Sequence, residues 1–140
     1  MLVESPELRK LLMASEAVRA VLQMTPRLDM ALLSAVDLSR DSRALEYGVI
    51  SRDTWRSLRT AGAVGDICGH YLDPDGKVVD HAIARRTINP PLADLQSVKT
   101  LILAAGGAHK APVIRGAIRA GLCHVLVTDE AAATALLARR

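Results

Sequence analysis

In this sequence of 140 residues, two adjacent glycines followed closely by a lysine form the stretch best suited to chemistry. Gly106 and Gly107 follow the apolar run 101–105, and Lys110 comes three residues after them. Glycines let the backbone approach an anion closely, and the amides of a first helical turn point towards it. A lysine in that turn opposes the helix dipole unless an anion is bound there. The spacing favours a phosphate or carboxylate site, and a tight turn beside a solvated lysine is the alternative.

Asp66 is a second candidate, because it is an acid enclosed in the apolar segment 63–72. Glycines inside a strand often mark a bulge or a close backbone approach, and Gly65 and Gly69 flank this acid. The carboxylate can accept hydrogen bonds from ligand hydroxyls, or it can bond nearby backbone amides as in a turn. Asp37, directly after the apolar run 30–36, can either touch a ligand or cap the following loop.

Catalytic and metal-binding motifs are missing from the sequence. The four histidines, at 70, 81, 109 and 124, lack the spacing of a zinc site, so no metal is predicted. There is no nucleophile-elbow motif, no P-loop and no full dinucleotide fingerprint, so no cofactor is predicted. Asp66 could serve as a base, but the sequence places no histidine or glutamate partner beside it, so no catalytic residue is assigned.

The elements that position the glycine pair and Lys110 alternate between strand and helix. The run 101–105 predicts a parallel strand covered on both faces. A helix over 108–120 follows and ends at Gly121 in a left-handed cap. A strand over 125–127 and a helix reaching Leu137 complete the pattern. Strand, helix, strand and helix in succession predict a parallel sheet whose strand ends hold the ligand.

Upstream of this unit, the sequence predicts one helix, one buried strand, a second helix and a hairpin. Ser5 caps the first helix, which has Pro6 at its first position and apolar spacing as far as Leu22. A buried strand covers 30–36, and a helix that begins at Ser51 buries Trp55 and Leu58. The turn signature 73–76 predicts a β-hairpin within about residues 63–80.

Composition limits the classes of function. The net charge of +3 is small and dispersed, and aromatic residues are 2% of the chain, so nucleic-acid binding by these residues is not indicated. Cys68 and Cys123 lie outside any CxxC motif and are expected to be buried, reduced thiols. No apolar run has membrane-spanning length. We expect a single cytoplasmic α/β domain with no membrane partner.

Three segments together resemble the sugar-binding domain of SorC/DeoR-type bacterial transcriptional regulators. These are GAVGDICGHYLDPDG at 62–76, AAGGAHKAPVIRGAIRAGLCHVLVTDEAAATALL at 104–137, and LRKLLMASEAVRAVLQMTPRLDMALLSAV at 8–36. The resemblance implies an open, Rossmann-like parallel sheet with flanking helices, as in sugar-phosphate isomerases and CoA transferases. It also implies that residues 1–140 are part of an effector domain, and that the helix-turn-helix DNA-binding domain and the first part of the sensor are absent.

The resemblance also implies a function and a set of contact residues. The expected function is non-enzymatic sensing of a phosphorylated sugar effector by a homo-oligomer, with DNA contacted only through the absent helix-turn-helix domain. Lys110 corresponds to the phosphate-contacting lysine, Gly106 and Gly107 to its backbone cradle, and Asp66 to the acid facing the sugar hydroxyls. Where the family commonly has a glycine-rich turn, this chain has the strand end 34–37 instead. A sugar-phosphate isomerase or deaminase and a ligand-independent dimerisation module are the alternatives.

Overall fold

One parallel and one antiparallel sheet, each of three strands, organise the computed structural model of the chain, which describes residues 1–138. The parallel sheet has the order β1-β5-β6, with β1 at Met30–Ser34, β5 at Thr100–Ala104 and β6 at Val125–Val127. Leu33 lies beside Leu103, which lies beside Leu126. The parallel α/β architecture expected from the sequence is therefore confirmed.

The antiparallel sheet has the order β2-β3-β4 and follows directly on the parallel one. Its strands are β2 at Val36–Asp37, β3 at Gly65–Ile67 and β4 at His70–Leu72. Only Ala35 separates β1 from β2. The single strand predicted over 30–36 is therefore wrong, because the chain passes from one sheet to the other at Ala35.

Seven α-helices lie in the described residues: α1 at Pro6–Ala14, α2 at Glu16–Gln23, α3 at Arg43–Glu46, α4 at Arg52–Thr60, α5 at Leu92–Gln96, α6 at Ala111–Arg119 and α7 at Glu130–Leu137. Short 3-10 turns occur at Thr25–Arg27, Ala82–Arg86 and Ala108–Lys110. The single helix predicted after Ser5 is two helices, because Ser15 adopts an extended backbone with ψ of 131°. The predicted caps at Ser5 and Ser51 are confirmed, since each hydroxyl accepts a hydrogen bond from a backbone amide.

The hydrophobic core lies on one face of the parallel sheet. Leu101 and Leu103 of β5 pack there in one buried cluster with Val113 and Ile114 of α6. A second cluster includes Leu58 of α4, with Trp55 half-buried against it as the sequence predicted.

The opposite face of the parallel sheet is open to solvent. Met30, Leu32, Val125 and Val127 point outward from its two edge strands with 46% to 72% of their surface exposed, and Ile102 lies partly buried between them. We call these five residues the open face. The prediction that β1 is buried and that β5 is covered on both faces is therefore wrong, because within residues 1–138 this side of the sheet stays exposed.

The hairpin lies within the predicted range, but its tip is not where the sequence placed it. The chain reverses between β3 and β4 at Cys68 and Gly69, which both have positive φ. The predicted turn at 73–76 is present as a second bend, after which Val78 bridges to Leu72. Cys68 is exposed and Cys123 is partly buried, so the prediction of two buried thiols is wrong. Among residues 1–138, no helix is both long and apolar enough to cross a membrane.

Candidate functional site

Loops at the carboxyl ends of the parallel strands meet at one edge of the sheet. Asp37 ends β2, which follows β1 after a single residue, while His109 and Lys110 follow β5 and Asp129 follows β6. Open α/β sheets hold their ligands at this edge. A cavity of about 560 Å³ opens there. We call it the polar cavity, and its lining residues are Ser34, Ala35, Val36, Asp37, Ser39, Asp41, Arg43, Glu46, His109 and Lys110.

Asp37 is a buried acid at the wall of the polar cavity. The Ser39 amide donates to its Oδ2 over 2.9 Å, and the Ser42 hydroxyl donates to its backbone carbonyl over 2.6 Å. Its other oxygen, Oδ1, is 3.8 Å from Nε2 of His109. The carboxylate therefore caps the following loop, which was one of its two predicted roles, and it also faces a histidine that the sequence did not single out.

Lys110 closes the 3-10 turn that precedes α6 and is partly buried at the polar cavity. The predicted helix from 108 thus begins with a tighter turn, in which the Lys110 amide donates to the carbonyl of Gly107 over 2.9 Å. Its ammonium forms no ion pair with any acid in the described residues 1–138. A cation facing a polar cavity without a protein counter-ion is a candidate contact for an anionic ligand.

The glycine pair lies against a carboxylate of the protein itself. The Gly107 amide donates to Oδ2 of Asp129 over 2.7 Å, while Oδ1 of the same acid accepts the Ala132 amide at the start of α7. A Cβ at position 106 would lie 2.6 Å from Asp129 Oδ2, and Gly107 has φ of +94°. Position 107 therefore requires glycine because of its backbone conformation, and a Cβ at position 106 would have to displace the Asp129 carboxylate. The sequence could have indicated Asp129, because it directly precedes a predicted helix and acids commonly cap helix N-termini.

Asp66 lines a separate, mainly apolar cavity of about 360 Å³, which we call the apolar cavity. The Gly69 amide donates to Asp66 Oδ2 over 2.8 Å, so the local backbone contact considered from the sequence is present. Burial raises the pKa of this carboxyl to about 6, and the Gly69 amide opposes the rise. Burial, reinforced by the Asp66 charge, also raises the pKa of Tyr71 across the strand pair.

The structure does not gather the four predicted contact residues in one cavity. Gly106, Gly107 and Lys110 lie on one loop, whereas Asp66 lies on the antiparallel sheet. The polar and apolar cavities adjoin, because Val36 and Arg43 line both. A single ligand that touched both Lys110 and Asp66 would have to extend from one cavity into the other.

The profile of the sugar-binding domain family matches residues 1–138. The chain belongs to the sugar-binding domain family. The family likeness predicted from the three sequence segments is therefore confirmed over nearly the whole chain.

Three proteins that this chain resembles are regulators by name. The transcriptional regulator LsrR of Klebsiella pneumoniae is 34% identical over 139 residues, which are 97% of this chain and 43% of that protein. A DeoR family transcriptional regulator from Listeria monocytogenes superposes with a TM-score of 0.90 at 29% identity, over 97% of this chain and 55% of that one. The full-length sorbitol operon regulator SorC from Klebsiella pneumoniae superposes with a TM-score of 0.83 at 27% identity, over 97% and 44%.

This chain is much shorter than the regulators that it matches. The chain spans less than half of LsrR and of SorC, and about half of the Listeria chain. The region shared with these regulators includes both sheets and both cavities, since nearly all of this chain is aligned.

Proposed function

We propose that this chain binds a phosphorylated sugar as the effector of a bacterial transcriptional regulator, without catalysing a reaction on it. The observation that carries the proposal is the polar cavity at the carboxyl edge of the parallel sheet, where Lys110 has no counter-ion among residues 1–138. Carboxylates on the same wall can accept hydrogen bonds from the hydroxyls of a sugar, and serine hydroxyls there can donate or accept them.

Each predicted contact residue has a part in this proposal. Lys110 contacts the phosphate, because an ammonium pairs with a phosphate by a charge-assisted hydrogen bond. Gly106 and Gly107 shape the loop, and a ligand that used the Gly107 amide would replace Asp129 as its acceptor. Asp66 accepts a hydrogen bond from the sugar end that reaches the apolar cavity.

The geometry gives little support to an isomerase or deaminase. Such chemistry needs a base and an acid within hydrogen-bonding reach of adjacent carbons. No histidine or glutamate lines the apolar cavity around Asp66 within the described part of the chain.

The proposed effector acts by binding one arrangement of the regulator more tightly than another, since a ligand shifts an equilibrium only through such a difference. In this proposal the protein works in the cytoplasm as a homo-oligomer, and DNA is contacted by a helix-turn-helix domain outside this chain. The lengths of LsrR and SorC, each more than twice the aligned region, are consistent with further domains in such regulators.

A thermal-shift titration tests the proposal. The panel is ribose 5-phosphate, glucose 6-phosphate, fructose 6-phosphate and glycerol 3-phosphate, each beside its unphosphorylated parent. A ligand at a hundred times its Kd stabilises the folded chain by about 2.7 kcal/mol, enough for a clear rise in Tm. Lys110→Ala is expected to abolish the rise. Lys99→Ala is the matched control, because Lys99 pairs with Asp29 at the amino end of β5.

Two results would contradict the proposal. One is the absence of any Tm rise with every phosphorylated sugar tested. The other is conversion of a bound sugar phosphate into a product, which chromatography of the incubated mixture would reveal and which would favour the enzyme alternative.

A further inference from the structure

Arg43 lies where the polar and apolar cavities meet. It is the first residue of α3 and lines both cavities, together with Val36. Its Nη1 donates to the Tyr47 hydroxyl over 2.8 Å, and its guanidinium carbon is 5.8 Å from the centre of that ring. Within residues 1–138 it forms no ion pair. A guanidinium has five N–H donors, so one bond to a neutral phenol leaves most of them available to a ligand.

The charges around the polar cavity show why a second cation matters. Three carboxylates line it, those of Asp37, Asp41 and Glu46, whereas only Lys110 and Arg43 are permanent cations. A phosphate monoester carries close to two negative charges at neutral pH. Lys110 alone sets one cation against these three carboxylates, and Arg43 makes it two against three, so the second cation lowers the repulsion that a bound phosphate experiences. The fork of an arginine also matches phosphate oxygens in a bidentate manner, which a lysine does not.

We propose that Arg43 is a second phosphate contact, and that it selects the phosphorylated form of the effector over the unphosphorylated sugar. This inference rests on the proposed function. The phosphate lies between Arg43 and Lys110 in the polar cavity, and the sugar extends past Val36 towards Asp66. Tyr47 holds the guanidinium at the boundary of the two cavities before the ligand arrives.

Isothermal titration calorimetry on the full chain tests this role with three titrants: the sugar phosphate that gives the largest Tm rise, its unphosphorylated parent, and inorganic phosphate. The variants are Arg43→Gln, which removes the charge, and Arg43→Lys, which keeps the charge and removes the fork. Arg40→Gln is the matched control, because Arg40 is a neighbouring cation that lines neither the polar nor the apolar cavity. Thermal melts without ligand verify that each variant folds, as expected for an exposed side chain.

Arg43→Gln is expected to weaken binding of the sugar phosphate and of inorganic phosphate by about tenfold or more, the range for a charged hydrogen bond. Binding of the parent sugar should change by less than about threefold, and Arg43→Lys should fall between the wild type and Arg43→Gln. Equal losses for the phosphate and its parent would overturn the assignment. So would unchanged affinity in Arg43→Gln while Lys110→Ala abolishes binding, a result that leaves the proposed function intact. If the wild type binds no sugar phosphate, the proposed function and this inference both fail.

Discussion

Replacing Asp66 by asparagine should change how the stability of the chain depends on pH. The carboxyl lies in the mainly apolar cavity, where burial raises its pKa from an ordinary value of 3.8 to about 6. Asparagine has nearly the same shape, and its amide oxygen can still accept the Gly69 amide that now donates to Asp66 Oδ2. The substitution therefore removes the titration while leaving the turn in place.

The sign and size of the effect follow from proton linkage. A carboxyl whose pKa is higher in the folded than in the unfolded chain binds its proton more tightly when folded, so it stabilises the fold at low pH. That contribution is complete below about pH 4 and is lost as the pH rises through about 6. The difference between the two pKa values corresponds to at most about 3 kcal/mol, since the side chain keeps some contact with water.

Urea unfolding at several pH values between 4 and 7.5 measures this contribution, with the fluorescence of Trp55, the one tryptophan of the sequence, as the signal. Asp66→Asn should match the wild type near pH 4 and exceed its free energy of unfolding by about 1–3 kcal/mol near pH 7. Asp53→Asn serves as the control, because the Asp53 side chain is 92% exposed. Equal pH dependence in the wild type and Asp66→Asn, or a loss of stability in the variant at pH 7, would refute the reasoning.

Two further substitutions test the packing around α6 and α7. Gly116→Ala should lower the free energy of unfolding in urea by about 1–3 kcal/mol, because the new Cβ would lie 2.7 Å from the carbonyl oxygen of Asp73. A gain in stability, as helix propensity alone predicts, would show that this contact yields easily. Asp129→Ala should lower the free energy of unfolding by about 1–2 kcal/mol, since it removes the cap of α7 and the acceptor of the Gly107 amide. Asp129→Asn keeps an oxygen acceptor for the cap and should lose less, and equal losses in the two variants would contradict this account.

The carboxyl-terminal half of the fold was predictable because its signals are local. The glycine break after 105, the left-handed cap at Gly121 and the acid that caps α7 each mark a boundary where the structure has one. Upstream, the boundaries depend on weaker signals. Ser15 interrupts the first helix although apolar residues keep helical spacing across it, so periodicity alone could not separate α1 from α2. The hairpin tip has Cys68 at positive φ, a position where asparagine or glycine is usual.

The candidate site was only partly predictable, since its members come from different sheets. Lys110 and its glycines are close in sequence, so their shared loop could be inferred. The distance between that loop and Asp66 depends on how the chain passes from β1 to β2 at Ala35, which no local pattern encodes. Arg43 lies on a helix of four residues in a polar segment, and only the packing of the two cavities reveals its position between them.

The open face affects how melting temperatures of this chain should be interpreted. Parallel sheets usually carry helices on both sides, yet Met30, Leu32, Val125 and Val127 leave one side of this sheet in contact with water. A partner that binds this face of the folded chain more tightly than it binds the unfolded chain raises the apparent Tm by mass action. If two copies of the chain associate through the open face, the melting temperature is expected to rise with protein concentration. Ligand-induced shifts are comparable only when the chain concentration is held constant.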